Sequence, residues 1–301
     1  MKFPVCPADT TNVSLAASRN VDCRQQALKC LDRLPPFSPI LNRLLASLAR
    51  DDTSVAEMAS LIEKDTVLTG NVLRLVNSAL YGLKGSVTSV RHAVAILGLV
   101  KLRNLMLGLS ISRLWRHIKT PAGFSAAAFN MHSVAVAILS DLLVEVVPAP
   151  YPEGAFVGGL LHDVGKLVMA IGLPHEYTLV IRMLQSSQCA WVECDRRVFG
   201  TDHAELSADV LQRWELPAPV QQAVRFHHAP ELANHGKLDL AHVIQAADLL
   251  AGDLGHTMLP PGVEPVHTAT RAIAALGVTD ALPALLERFR AEFDVIRELF
   301  G

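Results

Sequence analysis

Apolar residues recur every three or four positions along most of the chain, with polar and helix-breaking residues between the runs. In one run they fall at Leu68, Val72, Leu75, Val76 and Ala79, the spacing that lines one buried face of a helix. This predicts a helix from Thr66 to about Ser78 that ends near Tyr81-Gly82, with the Tyr81 ring in the core and its hydroxyl at a rim. Asp65 stands where it can cap that helix. Ser54-Val55-Ala56-Glu57 has the form of a capping box ahead of a helix over 55–63. Ser89 caps a short helix closed by Gly98, and Val100 to Trp115 makes a longer one. Upstream, an amphipathic helix is expected over 23–34, stopped by Pro35-Pro36, and another over 39–49. Residues 1–22 lack periodicity and read as a loosely docked tail.

Pro121-Ala122-Gly123 marks an internal boundary. Beyond it, a helix over 125–144 carries His132 among Ala128, Phe129, Ala135, Val136 and Leu139, which turns the imidazole inward. After a rigid loop with Pro148, Pro150 and Pro152, a helix from Gly154 to Val164 brings in His162-Asp163, with Gly165 as its expected end. Asp202 starts a helix with His203 in its first turn, and Pro217 and Pro219 open another that finishes at His227-His228. Asp248 follows Ile244 by one turn, so its carboxylate is directed at an apolar face. Two final helical stretches, 269–276 and 282–300, include a stripe of Phe289, Phe293, Ile296 and Phe300 suited to docking on the main body.

Composition sharpens this picture. Half of the residues are hydrophobic but only 5% are aromatic, so the apolar content is mostly Ala, Leu, Val and Ile, which favours packed helices. The expected fold class is all-α. With 27 Lys+Arg against 29 Asp+Glu and a pI near 6.6, no basic surface argues for nucleic acid, and no DNA partner is indicated. The most membrane-like stretch, Val94 to Ile111, carries Lys101, Arg103 and Asn104 and reads as a core helix, not a membrane insertion. Cys6, Cys23, Cys30, Cys189 and Cys194 lack metal-finger spacing and read as reduced thiols of a cytoplasmic protein without a signal peptide.

The chemistry gathers around Gly158-Gly159-Leu160-Leu161-His162-Asp163-Val164-Gly165-Lys166, where an imidazole and a carboxylate interrupt an apolar run. Burying either unpaired costs several kcal/mol, on the order of 2 to 7 even for a neutral polar group. Residues able to share a ligand with them are His132, His203, His227, His228 and Asp248, each on or at the end of a predicted helix. Their nitrogen and oxygen donors suit one or two divalent ions such as Fe, Mn, Ni or Zn. Lys166 reads as a surface charge or a charge near a helix C-terminus. His92, His117, His175, His235, His242, His256 and His267 read as ordinary helix-end or core residues.

Leu34-Pro35-Pro36, Asp65, Asn77-Ser78-Ala79-Leu80-Tyr81-Gly82, Val87-Thr88-Ser89-Val90 and His92 to Gly98 resemble the front half of the HDOD family, regulatory relatives of the HD phosphohydrolases. The resemblance continues through Leu160 to Lys166 and Phe199 to His228, covering roughly residues 24–252. It implies a tail over 1–22, an HDOD unit over 24–252 with parts 24–120 and 125–252, and an extension over 253–301. The metal pattern of HD phosphohydrolases falls on His132, His162, Asp163 and Asp248, with Asp163 bridging two ions. The further histidines of HD-GYP phosphodiesterases map onto His203, His227 and His228. If the chain is an enzyme, Asp163 and Lys166 are the expected catalytic residues, Lys166 stabilising phosphate charge. After His228, however, Ala229-Pro230-Glu231-Leu232 replaces the GYP element, and Ala128 stands where trinuclear members place Glu. The resemblance therefore implies a signal-transduction protein that binds other regulatory proteins or a ligand. The alternative is a metal-dependent phosphohydrolase or phosphodiesterase acting on a nucleotide or cyclic dinucleotide.

Overall fold

The computed structural model describes residues 23–33, 38–49, 54–83, 85–116, 118–187 and 189–300. The expected tail, the Pro35-Pro36 stop, Cys6 and His117 lie outside them. All regular structure among the described residues is helical, as the composition implies, with no strand.

The first part holds α1 (residues 23–29), α2 (Pro39–Ala46), α3 (Val55–Glu63), α4 (Thr66–Val76), α5 (Val90–Leu97) and α6 (Leu99–Arg116). The expected caps are present: Ser54 Oγ accepts the Glu57 N–H, Asp65 accepts those of Val67 and Leu68, and Ser89 Oγ accepts that of His92. Asn77 closes α4 and clasps the following turn. Its Nδ2 donates to the carbonyls of Leu73 and Val87, and its Oδ1 accepts the Val87 N–H at 2.7 Å. The Tyr81 hydroxyl departs from expectation. It is buried without a hydrogen-bond partner, because the C-terminal helix Leu282–Phe300 covers this turn, and burial pushes the phenol pKa up.

The second part holds α7 (Ala126–Val144), α8 (Ala155–Leu161), α9 (Val164–Gly172), α10 (Pro174–Ser186), α11 (Trp191–Phe199), α12 (His203–Arg213), α13 (Ala218–Arg225), α14 (Leu240–Asp253), α15 (Thr270–Ala275) and α16 (Leu282–Phe300). Helix α7 is its axis, packed against α8, α14 and α16. Close approach of α8 to α7 depends on Gly159, where a Cβ would lie 2.8 Å from the Val136 carbonyl oxygen.

The helix expected to end at Gly165 is broken earlier. The chain turns at His162-Asp163 and Gly165 opens α9 instead. The reason is tertiary. The Gly165 N–H donates to Ser207 Oγ at 2.8 Å, and a Cβ there would collide with the His203 carbonyl oxygen, so glycine is what lets α9 lie against α12.

Helix α16 runs along α7 and α6 with Phe289, Phe293 and Ile296 buried and Lys101 paired to Glu292 at 2.7 Å. At the other end of the chain, Arg24 of α1 pairs with Asp209 of α12. Cys189 and Cys194 are free thiols.

Two stretches, Ala126–Val144 and Pro152–Gly172, are long and apolar enough to cross a membrane by length and composition. Most of each is buried inside the protein, 72% and 94%, so other helices already cover those faces. They replace Val94–Ile111 as the most membrane-like segments, because that stretch bends by 113° between α5 and α6.

Candidate metal centre

Five elements aim donors at one point. His132 comes from the middle of α7, His162 and Asp163 from the turn between α8 and α9, and His203 from the start of α12. His227 and His228 follow the end of α13, and Asp248 comes from α14. The local sequence explains each placement: Asp202 caps α12 by accepting the Glu205 N–H, which sets His203 at the first position, and the α8/α9 break turns His162 and Asp163 toward α7.

The seven side chains converge in overlapping groups: Asp163, His203, His227 and His228; His132, His162 and Asp163; and His162, His227 and Asp248. Within each, one donor atom per residue lies within 4.8 Å of the others. His132 Nε2 is 3.2 Å from His162 Nε2, 3.4 Å from Asp163 Oδ2 and 3.2 Å from Asp248 Oδ1. On the other side, His203 Nε2 is 3.2 Å from Asp163 Oδ1 and 2.7 Å from His228 Nε2. The two oxygens of Asp163 thus face different imidazoles, Oδ2 those of His132 and His162 and Oδ1 that of His203.

The outer nitrogens decide what the inner ones can do. His132 Nδ1 meets the His256 carbonyl at 2.9 Å, His162 Nδ1 that of Gly159 at 2.8 Å, and His227 Nδ1 that of Val224 at 2.6 Å. A carbonyl only accepts, so each Nδ1 carries the proton and each neutral ring presents a bare Nε2 lone pair to the centre. His132 and His162 then point two lone pairs at each other, which is repulsive unless a proton or a metal ion lies between them. His227 Nε2 and Asp163 Oδ1 are buried with no hydrogen-bond partner. Buried acceptors left this way cost roughly 1 to 3 kcal/mol each. A cation at the centre satisfies all of them, so the residues present fit a divalent ion.

The electrostatics follow from burial and the two acids. Burial lowers His162, but the charge of Asp163 and the contacts to Asp163 and Asp248 outweigh it and raise the pKa to about 10. His132 is raised on the same balance. Burial alone would raise Asp163 and Asp248, yet the surrounding cations and histidines hold both well below the usual carboxylate range. Burial, reinforced by His162, lowers His227 to about 4, and burial is also the main cause that lowers His203 and His228.

Lys166 is not a surface charge. It lies in the first turn of α9, buried, with Nζ 2.6 Å from Asp163 Oδ2 and 4.5 Å from the Trp191 ring centroid. The start of α9 at Val164 moves it to the helix N-terminus and under α11.

Two contributors escaped the sequence reading. Asp195 on α11 is buried, its Oδ2 2.5 Å from His203 Nδ1, where it orients the ring; burial pushes its pKa well up. The signal was present, because Asp195 sits on the apolar stripe of Trp191, Cys194 and Phe199. The second is His256, set aside as ordinary, whose backbone carbonyl holds His132 and whose ring packs 4.3 Å from that of Phe293.

Residues 34–230 match the HDOD domain family. An uncharacterized protein of Treponema pallidum (strain Nichols) is 25% identical over 249 residues, 75% of this chain and 46% of that protein. The chain therefore spans about half the length of the curated relative it matches. Among solved structures, an HDOD domain protein of unknown function from Geobacter sulfurreducens is 25% identical with a TM-score of 0.69, covering 92% of this chain and 93% of its own. A protein from Marinobacter aquaeolei VT8 that carries a signal-transduction name gives 0.73 at 21% identity, covering 98% and 69%. One from Shewanella amazonensis SB2B with a phosphohydrolase name gives 0.70 at 23%, covering 92% and 98%. The last two share the fold.

Proposed function

The chain belongs to the HDOD domain family, and on that premise we propose that it is a signal-transduction protein that acts by binding. In this reading its His/Asp centre holds one or two divalent ions as a structural or sensing element. The observation that carries it is the set of inward Nε2 lone pairs fixed by outer Nδ1–H bonds, which has no use in a purely structural core. His132, His162, Asp163 and Asp248 would hold one ion, and Asp163, His203, His227 and His228 the other, with Fe, Mn, Ni and Zn all suited to these donors. A bound ion supplies Lewis acidity and a lowered pKa for a coordinated water.

The chain's own residues support binding over turnover. Lys166, the expected phosphate-stabilising cation, is committed to Asp163. The segment after His228 forms a 3-10 turn, Pro230–Leu232, in place of the GYP element. The fold neighbour from Marinobacter carries a signal-transduction name, which agrees with regulatory proteins of a cytoplasmic pathway as partners; a link to cyclic di-GMP signalling belongs to the same reading.

The second reading is a metal-dependent phosphohydrolase. In its favour are the complete donor set, two of whose groups share Asp163, and a fold neighbour from Shewanella that carries that name. The test is metal-loaded protein incubated with nucleotides and cyclic dinucleotides beside an Asp163→Ala variant. Turnover that needs metal and disappears in the variant establishes the enzyme; no turnover, with ligand or partner binding retained, supports the binding protein.

A further inference from the structure

A cavity of about 300 Å³ opens beside the centre and shares His132, His228, Asp248 and Lys166 with it. Its remaining wall is largely apolar, with Trp191, Met258, Leu259 and Val263 prominent. The polar end is thus the metal centre itself, and the body of any occupant must sit against hydrocarbon.

Charge and size narrow the occupant. The two cations of the wall are already used: Lys166 pairs with Asp163 at 2.6 Å and Arg196 with Asp202 at 2.7 Å. Glu193 and Glu264 add negative charge to the lining. A polyphosphate would find no uncommitted cation among these groups, whereas a single negative charge is met by a divalent ion. The cavity's volume of about 300 Å³ lies at the small end of ligand pockets.

We propose that this cavity binds a small amphiphilic monoanion, a carboxylate on an apolar body of medium chain length, with its carboxylate at the metal centre. The proposal rests on the metal-binding reading above and names the ligand class of that same site. The carboxylate supplies oxygen donors on the face lined by His132, His228 and Asp248, and burial of the chain against Met258 and Leu259 supplies the hydrophobic gain.

Calorimetric titration of the metal-loaded full chain with octanoate, acetate and AMP tests this, with metal content measured on each sample. Octanoate is expected to bind at least tenfold more tightly than acetate or AMP. Removal of the metal, or Met258→Glu with metal content and melting temperature unchanged, is expected to weaken octanoate at least tenfold. Val263→Glu serves the same purpose should Met258→Glu fail to fold. Protein that holds metal but binds AMP as tightly as octanoate, or octanoate no better than acetate, overturns this inference alone. Protein that takes up no metal overturns both it and the metal reading.

Discussion

His132 and His162 face each other Nε2 to Nε2 at 3.2 Å, while their Nδ1 atoms are both held by backbone carbonyls, of His256 and Gly159. Two neutral imidazoles fixed in this way have no hydrogen bond to share. A proton is one remedy, and the acids beside them favour it; a metal ion is the other.

Metal binding should therefore release protons. His162, raised to about 10 mainly by Asp163 against the lowering effect of burial, keeps its proton through neutral pH in the metal-free fold, and a metal must displace it. The apparent affinity should rise as pH rises from 6 to 8, about tenfold per unit for one displaced proton. Calorimetry in two buffers of different ionisation enthalpy should find at least one proton released per first ion at pH 7.5; no release would contradict the assignment.

Asp195→Ala should weaken metal binding by about 10- to 100-fold, the usual effect of removing the group that orients a ligating imidazole. His203 loses its Nδ1 partner while the other donors stay in place, so the loss should fall on the ion held by Asp163, His203, His227 and His228. Competition with a coloured chelator reads this directly. Equal affinities in variant and wild type would remove Asp195 from the site.

Gly165→Ala should destabilise the fold although alanine is the better helix former by about 1 kcal/mol. The added methyl meets the backbone carbonyl of His203, which has no rotamer to escape by. A net loss of about 2 to 4 kcal/mol is expected from such overpacking, seen as a lower urea midpoint with an unchanged slope. A variant as stable as wild type would show that α9 and α12 separate easily.

These two residues also show where the sequence could be read and where it could not. Ser54, Asp65, Ser89 and Asp202 cap the expected helices because a cap is a local device, complete within four residues. Of the cluster residues, His132 and Asp248 stand out because each places a polar group on a stripe that is otherwise apolar, whereas His203, His227 and His228 stand out through the family resemblance. Gly165 departs from the sequence expectation because a glycine near a helix end has two uses, as a terminator or as a point of close approach, and only the neighbouring helix decides between them. Lys166 departs with it, since the expected helix ends where the observed one, α9, begins. The His256 contribution had no side-chain signature, because the group used is a backbone carbonyl.

Asp141→Asn should stabilise the protein at neutral pH. Burial is the main cause that raises the Asp141 carboxyl to about 6, against lowering by Lys101 and Arg103. With the folded value above the unfolded 3.8, the native state favours the protonated acid. Its contribution is present at low pH and lost as pH rises through about 6, at a cost of about 1 to 3 kcal/mol at pH 7. Asparagine keeps an oxygen for Asn104 Nδ2, which donates to Asp141 at 3.3 Å. Thermal melts should show the variant ahead of wild type at pH 7.5 and level with it near pH 4.5; an equal gap at both would refute the assignment.

Metal analysis of the full chain, purified without chelator and then offered Fe, Mn, Ni and Zn separately, tests the central claim most directly when paired with an Asp163→Ala variant whose fold is checked by circular dichroism. The centre described here predicts one to two ions per wild-type chain, as its two groups of donors share Asp163, and at least a tenfold weaker uptake in the variant. Fewer than roughly 0.1 ion per wild-type chain with every metal, at concentrations that saturate a structural site, would contradict it.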